Sequence, residues 1–226
     1  MKIALDGPSG AGKSSLARAV AAHLGIVYVD TGALYRAIAL FVLRAGIAPA
    51  DAAAVAACLP RIRLELSFLN GEQHVLLCGE DVGGLIRTPE ISMGASAVSA
   101  HPAVRDFLLE TQRAIARAQD VIMDGRDIGT VILPDADVKI FLTATPEARA
   151  RRRAAELREK GMTVSEEEVL ADMRRRDEND ATRKTAPAVP AADAVFLDNS
   201  ELTAEETLAA ALAIIREKTR KGGTRA

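Results

Sequence analysis

Residues 7–14 read Gly7-Pro8-Ser9-Gly10-Ala11-Gly12-Lys13-Ser14, which matches the pattern GxxxxGK[ST] in full. Ahead of it, Lys2 to Asp6 (KIALD) is a short apolar run that predicts a buried strand. Behind it, Lys13 to Leu24 places Leu16, Ala17, Val20, Ala21 and Leu24 at helical spacing, and Gly25 stops the run. Strand, glycine loop and helix in that order are the context in which this pattern holds phosphate. Gly7, Gly10 and Gly12 let the backbone wrap closely and turn N–H groups toward an anion. The helix adds its positive N-terminal end. Lys13 supplies a mobile cation for the β/γ oxygens, and the Ser14 hydroxyl is a ligand for Mg²⁺. The loop Gly7, Pro8, Ser9, Gly10, Ala11, Gly12, Lys13, Ser14 and Ser15 is therefore the expected seat of a nucleoside triphosphate.

The same alternation continues outward. Ile26 to Val29 predicts a second strand, and Thr31 to Arg44 a second helix with Leu34, Ile38 and Val42 on one face. Val121–Met123, Val138–Leu142 and Ala194–Leu197 predict three more strands. Five short apolar strands alternating with helices imply an α/β fold with a doubly wound parallel sheet, helices on both faces. One segment differs. Ile62, Leu64, Leu66 and Phe68 alternate with polar residues, Asn70-Gly71 follows, and His74–Cys78 resumes. That pattern predicts a hairpin, so a small antiparallel insert is expected at about 60–85. Glu147–Lys160 and Ser165–Asp180 predict two charged helices joined near Gly161, the second with a Ser165/Glu168 capping box. Lys221–Ala226 is expected to be a frayed tail.

Composition sets the outer bounds. The 226 residues carry 29 Lys+Arg against 31 Asp+Glu, a net charge of −2, so any polyanion site must be local. Aromatics at 3% argue against stacking platforms for single-stranded nucleic acid. A hydrophobic fraction of 49% with small net charge excludes a disordered chain. Cys58 and Cys78 are too few for a disulfide framework and offer no zinc cluster. His23, His74 and His101 have no partners at triad or metal spacing. The opening MKIALDG has no signal-peptide apolar run, and Arg44 interrupts the most apolar stretch, Ala37–Ala48. A cytoplasmic protein without nucleic-acid or membrane partners is expected, as one domain over 1–226.

The loop leaves the reaction open. A GTP switch would need NKxD, which the chain lacks; Asp81-Val82-Gly83-Gly84 spells DxxG but follows the hairpin. A motor ATPase needs a carboxylate poised to activate water. A kinase for an anionic acceptor needs many Arg residues, and the second half is rich in them. A slowly hydrolysing nucleotide-binding regulatory protein remains the alternative outside enzymes.

Three further stretches carry a resemblance: Asp30-Thr31-Gly32-Ala33-Leu34-Tyr35-Arg36 after the second strand, Asp124-Gly125-Arg126-Asp127-Ile128-Gly129-Thr130 after the third, and Arg176-Asp177-Glu178-Asn179-Asp180-Ala181-Thr182-Arg183 closing the charged helices. With GPSGAGKSS, they make the chain resemble the bacterial cytidylate kinases over nearly its whole length. The loop ends Ser14-Ser15 where many relatives have Gly-Thr; Ser14 keeps a hydroxyl after Lys13. The resemblance implies transfer of the γ-phosphoryl group of ATP to CMP, with dCMP a second acceptor, with Mg²⁺, by a monomer. A kinase for another acceptor such as UMP is the runner-up. The hairpin then becomes the monophosphate-binding insert, and about 156–165 a short helical lid.

Position alone says less about single residues. Arg suits bidentate phosphate contacts. Arg36 lies one turn into its helix and Arg126 just past a strand, yet both could be surface charges. Arg176 and Arg183 lie where a solvated salt-bridge face is the usual outcome. By resemblance, Arg36, Arg126 and Arg176 contact the acceptor phosphate, with Thr31 also on the acceptor side, and Arg183 the transferring phosphates. Asp124, otherwise a cap or turn residue, reaches Mg²⁺ through water. Ser96, Arg105 and Asp127 read cytosine and Asp180 contacts ribose, although Ser96 and Arg105 would ordinarily lie on helix surfaces. Arg153 stacks on adenine, in competition with Arg149, Arg151 and Arg152. Lys13, Arg126, Arg176 and Arg183 form the catalytic set.

Overall fold

The computed structural model describes residues 1–69, 72–159, 161–183 and 185–222. In chain order the elements are β1 (Lys2–Asp6), α1 (Lys13–Leu24), β2 (Val27–Asp30), α2 (Thr31–Arg44), α3 (Ala52–Cys58), β3 (Leu64–Leu69), β4 (Glu72–Leu77), β5 (Glu80–Asp81), α4 (Pro89–Val98), α5 (Pro102–Ala118), β6 (Val121–Gly125), β7 (Val138–Thr143), α6 (Pro146–Glu159), α7 (Glu166–Thr182), β8 (Val195–Asp198) and α8 (Ala204–Gly222). A 3₁₀ turn spans Leu59–Arg61 and a π-helical turn Ile128–Ile132. Five strands form the parallel sheet in the order β2-β6-β1-β7-β8, and β3-β4-β5 form an antiparallel one. The first strand is flanked by two that come later in the chain, the switch point at which doubly wound sheets bind ligands. The chain divides into two compact units, Met1–Ile26 with Val121–Ala226, and Val27–Asp120.

In the first unit, β1 pairs with β6 in the register Leu5↔Asp124 and Asp6↔Gly125, and with β7 on its other side. Ile3, Ala4, Leu5, Val121 and Met123 have no exposure, as strands covered on both faces require. The helix α1 packs on β1 and β6, and α8 packs on β7, β8 and α1. This register sets the glycine loop beside the residues that follow Met123. The third strand runs on through Asp124, so Asp124 is a buried strand residue, not a cap or turn. The second strand begins one residue later than expected, at Val27.

The two charged helices form as expected, with α7 extended to Thr182. They meet through Ala150, Ala154, Val169 and Met173. Ser165 caps α7: the Glu168 amide donates to Ser165 Oγ at 3.1 Å, and Ser165 N–H donates to Glu168 Oε2 at 3.2 Å. Ser165→Ala is expected to cost about 1 kcal/mol, a fall in Tm of roughly 2–4 °C for a chain of this size. A thermal melt unchanged by the substitution would show that the cap carries none of that stability.

In the second unit, α2 supplies Leu34, Ile38 and Val42 to a core completed by Val75, Leu77, Ile86, Ile91, Val98 and Leu108. The alternation predicted for the hairpin holds: Leu64 opposes Leu77 and Leu66 opposes Val75, apolar side inward. Asn70-Gly71 lies outside the described residues, as do Lys160 and 223–226 of the expected tail; α8 runs to Gly222. Asp81-Val82-Gly83-Gly84 leaves an antiparallel strand, as expected. Four helices go beyond the expected elements: α3, α4 opened by Thr88-Pro89, α5 opened by Pro102, and α8 in the first unit. Both cysteines are free thiols. Among the described residues, no helix is long and apolar enough to cross a membrane.

Candidate active site

The phosphate loop is shaped by what surrounds it. Gly7 has φ +148°, and a Cβ there would lie 2.0 Å from the Leu142 carbonyl oxygen of β7. Gly10 has φ +74°, and a Cβ would lie 2.3 Å from Met173 Cε of α7. A side chain at position 7 would collide with backbone, and at position 10 it would displace Met173 and strain a left-handed backbone. Side chains hold the carbonyls in place: Arg149 Nη1 donates to Ser9 O at 2.9 Å, and Asn199 Nδ2 to Ala11 O at 3.1 Å. A trans peptide points the next N–H the opposite way, so Gly10 and Gly12 present theirs away from these anchors. Gly12 also caps α1 with no side-chain acceptor, which leaves the first amides of that helix to an anion.

Lys13 is buried, with Nζ donating to Pro8 O at 2.8 Å. Burial lowers its pKa to about 7; Arg126 pushes the same way, and Asp124, Asp6 and Asp180 oppose. Ser14 Oγ donates to Asp124 Oδ2 at 2.8 Å, across 110 positions of sequence. A hydroxyl beside a carboxylate is a hard-oxygen pair of the kind Mg²⁺ takes, so these residues fit the ion. No group of three or more His, Cys, Asp or Glu side chains among the described residues forms a cage for a metal.

Past β6, Arg126 Nε pairs with Asp180 Oδ2 at 2.9 Å. Arg183 donates to Ala186 O at 2.6 Å and lies 3.7 Å from Asp180 and 4.0 Å from Asp127. Arg176 has no ion-pair or hydrogen-bond partner among the described residues. Burial lowers its pKa, Arg126 adds repulsion, and Asp172 and Asp180 pull the other way. A half-buried cation beside a second cation, with no carboxylate in ion-pair contact among the described residues, is a place suited to an anion. The solvated-face expectation fits Arg174 and Arg175, which pair on the surface with Glu147 and Asp172; Arg176 and Arg183 turn inward instead.

In the other unit, Asp30 caps α2 by accepting from Ala33 N at 3.0 Å, and its Oδ2 accepts from Arg36 Nη2 at 2.8 Å. Arg87 Nη2 lies 3.6 Å from the same oxygen. Gln73 of β4 fixes the Asp30 backbone at both ends, accepting from its N–H at 2.8 Å and donating to its carbonyl at 3.2 Å. Arg36 Nε is buried with no hydrogen-bond partner among the described residues. Thr31 is buried at the start of α2. Ser96 is half-buried on α4, but Arg105 departs from the helix-surface expectation: it is buried, donates to Ser99 O at 2.9 Å, and sits 5.5 Å from the Tyr35 ring centroid.

Of the four arginines that compete for the donor base, Arg149 is buried on Ser9 O, Ala144 O and Asp177, and Arg152 is held by Asn199. Arg153 pairs with Glu156 at 2.9 Å on a half-exposed face and Arg151 is exposed. The histidines lie outside this chemistry: His74 pairs with Asp81 and His101 contacts Pro49 O. Sequence reasoning passed over Asn199, Arg87 and Gln73, and named Arg149 only as a competitor for the adenine, not as an anchor of the phosphate loop. Asn199 acts on a loop 188 residues away, and no local pattern marks it.

Comparison with known proteins gives one answer. The family model described as cytidylate kinase matches residues 3–217. A cytidylate kinase from Geobacter sulfurreducens is 49% identical over 218 residues, covering 96% of this chain and 94% of the relative. One from Caldicellulosiruptor bescii is 47% identical over 208 residues, 92% of each chain. One from Mycobacterium leprae is 46% identical over 217 residues, 96% of each. Among solved structures, a gluconokinase from Sinorhizobium meliloti 1021 superposes with a TM-score of 0.51 at 14% identity, over 100% of this chain and 97% of that one, a likeness of fold.

Proposed function

The chain belongs to the cytidylate kinase family, and from that premise we propose that it transfers the γ-phosphoryl group of ATP to CMP, giving ADP and CDP, with dCMP as a second acceptor. The observation that carries transfer over hydrolysis is Arg176: a half-buried guanidinium with no carboxylate in ion-pair contact among the described residues, close enough to Arg126 to be repelled by it, in the unit that also holds the phosphate loop. A hydrolase needs a positioned water there; a kinase for an anionic acceptor needs a second phosphate site.

The acceptor phosphate is already an anion, so no general base is required. One of its oxygens bonds to the γ-phosphorus as the bond to the β–γ bridging oxygen breaks, and that oxygen leaves with ADP. Catalysis is then alignment and charge neutralisation. In this reading the loop residues 7–15 hold the donor, Lys13 and Arg183 meet the transferring phosphates, and Arg153 packs on the adenine. Arg36, Arg126 and Arg176 gather the acceptor phosphate, with Thr31 beside it. Asp180 holds the ribose, and Ser96, Arg105 and Asp127 read the base. Ser14, and Asp124 through water, would hold Mg²⁺, which supplies charge neutralisation on the donor phosphates. The chain acts as one kinase domain and as a cytoplasmic monomer, its insert at about 60–85 covering the acceptor and its lid at about 156–165 excluding water.

A coupled assay with a panel of nucleoside monophosphates tests this. Rapid ADP formation with CMP and dCMP is expected. Equal turnover of UMP would move the acceptor assignment, and slow ADP formation independent of acceptor would replace the kinase by a hydrolysing regulator. The arginines give a finer check. Methionine at Arg36, Arg126 or Arg176 is expected to lower kcat/KM for CMP about ten- to hundredfold each, the worth of one charge-assisted contact. ATP binding to the free enzyme should stay nearly constant. An arginine whose loss weakens ATP and CMP equally would belong to the donor instead.

A further inference from the structure

Arg149 lies in the first turn of α6 and is buried, an uncommon place for a guanidinium. Its donors reach separate parts of one unit. Nε donates to the carbonyl of Ala144, directly past the end of β7, at 3.1 Å. Nη1 donates to Ser9 O of the phosphate loop at 2.9 Å and pairs with Asp177 Oδ2 of α7 at 2.6 Å. A terminal guanidinium nitrogen carries two N–H groups, so Nη1 can serve both acceptors. Asp177 turns inward for this contact: its other oxygen, Oδ1, is buried with no hydrogen-bond partner among the described residues. A carboxylate in that state has given up hydration to reach the guanidinium. One turn earlier on α7, Met173 rests on the same loop, its Cε 2.3 Å from where a Cβ on Gly10 would stand. Met173 and Asp177 are four residues apart and share a helix face.

We infer that Arg149 is a positioning residue for the transfer step: with Asp177 it locks the phosphate loop to α7, and so fixes the donor phosphates relative to Arg176, Asp180 and Arg183 on that helix and its cap. The inference rests on the functional reading above, in which the loop holds ATP and Arg176 meets the acceptor phosphate. Arg176 directly precedes Asp177, and Asp180 lies about one turn beyond it. A shift of α7 against the loop therefore changes the distance and angle between the two phosphates. In-line transfer is sensitive to that geometry, and about 1 Å of misplacement costs roughly hundredfold in rate. The Arg149 guanidinium is engaged by protein acceptors, so it acts through the loop and the helix and not on the substrate. A surface ion pair joins the same two helices: Arg174 Nη2 meets Glu147 Oε1 at 2.8 Å, with both side chains more than half exposed. That pair holds helix to helix, whereas Arg149 holds helix to loop as well.

The test compares Arg149→Lys, the double variant Arg149→Met with Asp177→Ala, and Arg174→Ala. Lysine keeps the charge but lacks the planar fork, so it cannot hold the Ala144, Ser9 and Asp177 oxygens together. The double variant removes both charges at once, so neither is left buried and unpaired and the fold is spared. The measurements are the single-turnover rate with CMP, the ATP dissociation constant without acceptor, and the thermal melt. Both Arg149 variants are expected to lower the transfer rate about ten- to hundredfold. ATP affinity should change less than about threefold, because the loop amides and the Asn199 anchor on Ala11 O remain. Arg174→Ala should leave the rate within about twofold, as loss of an exposed pair does. A folded Arg149 variant with a normal rate would overturn the inference. So would a rate and an ATP affinity that fall by the same factor, which would leave Arg149 an anchor of the donor loop alone. An equal loss of rate in Arg174→Ala would also overturn it, by assigning the effect to general helix packing. Should neither Arg149 variant fold, Asp177→Asn, which keeps an acceptor for Arg149 but loses the charge, decides on the same readings. A wild-type chain that does not phosphorylate CMP would instead overturn the functional reading, and that result appears before any variant is made.

Discussion

Replacing Lys13 by alanine is expected to lower kcat by about two to three orders of magnitude, the range for losing one preorganised donor to a developing charge. ATP affinity should fall much less. The reason lies in how the free site holds this cation. Lys13 is buried, and its Nζ donates to the Pro8 carbonyl at 2.8 Å. Burial and the neighbouring Arg126 bring its pKa down to about 7 against the pull of Asp124, Asp6 and Asp180, so its charge is only partly supported before substrate arrives. A group held in that state gains most from whichever species brings the most negative charge to it. During transfer, charge builds on the oxygens around the γ-phosphorus, so the gain is greater in the transition state than with bound ATP. Stability should respond far less. Burial of the cation costs stability while Asp124, Asp6 and Asp180 attract it, so the substitution should change Tm by little compared with its effect on kcat. Single-turnover rates, ATP dissociation constants and melts of Lys13→Ala together separate these effects. A variant with normal kcat would take Lys13 out of the transfer step.

The elements nearest the phosphate loop were legible in the sequence to the residue: Lys2–Asp6, Lys13–Leu24 and Thr31–Arg44 form as the pattern predicts. Local chemistry decides these segments. Apolar residues buried on both faces make the strand, and Gly25 ends the helix in a left-handed turn at φ 67°. What local pattern cannot supply is partnership over distance. That Ser14 meets Asp124 follows from β1 and β6 pairing with Leu5 beside Asp124, a register that neither strand encodes alone. The hydrogen bonds from Ile128 N and Gly129 N to the Asp6 carboxylate span more than 120 positions and have the same origin. In the arginine-rich helix the signal was present and obscured by like charges. Val169, Met173, Arg176, Asp180 and Arg183 recur at spacings of four, three, four and three, which is one helical face continued into the cap. Val169 and Met173 are buried, so Arg176 faces inward while Arg174 and Arg175 stay in solvent. Arg105 is a similar case. It shares a face with Leu108 and Gln112, both buried on α5, and the apolar environment that would mark a leucine there as core applies to the arginine as well.

The other large effect concerns base choice. Cytosine offers an N4 amino donor and an N3 acceptor; uracil reverses both, with an O4 acceptor and an N3–H donor. An ionised carboxylate accepts from N4 and repels O4, while a guanidinium donates to N3 and opposes an N–H there. In the proposed reading Asp127 supplies the first contact and Arg105 the second, with the Ser96 hydroxyl in support. Selection is then by hydrogen-bond pattern and not by size, since the two bases have nearly the same shape. Asp127 is buried and lies 4.0 Å from Arg183, so water cannot readily replace the contact that a wrong base fails to make. The cost of a mismatch is therefore that of an unpaired buried charged group, about 3 kcal/mol or roughly hundredfold. Asp127→Ala should lower kcat/KM for CMP by about that factor while UMP changes little, so that the two rates converge. Asp127→Asn makes a sharper test. Its amide can present oxygen to N4 or N–H₂ to O4, so it should keep part of the CMP activity and raise UMP activity above that of the alanine variant. The readout is the CMP/UMP ratio across wild type, alanine and asparagine. A ratio that stays the same in all three would remove Asp127 from base reading, and selection would then have to reside in Arg105 and Ser96.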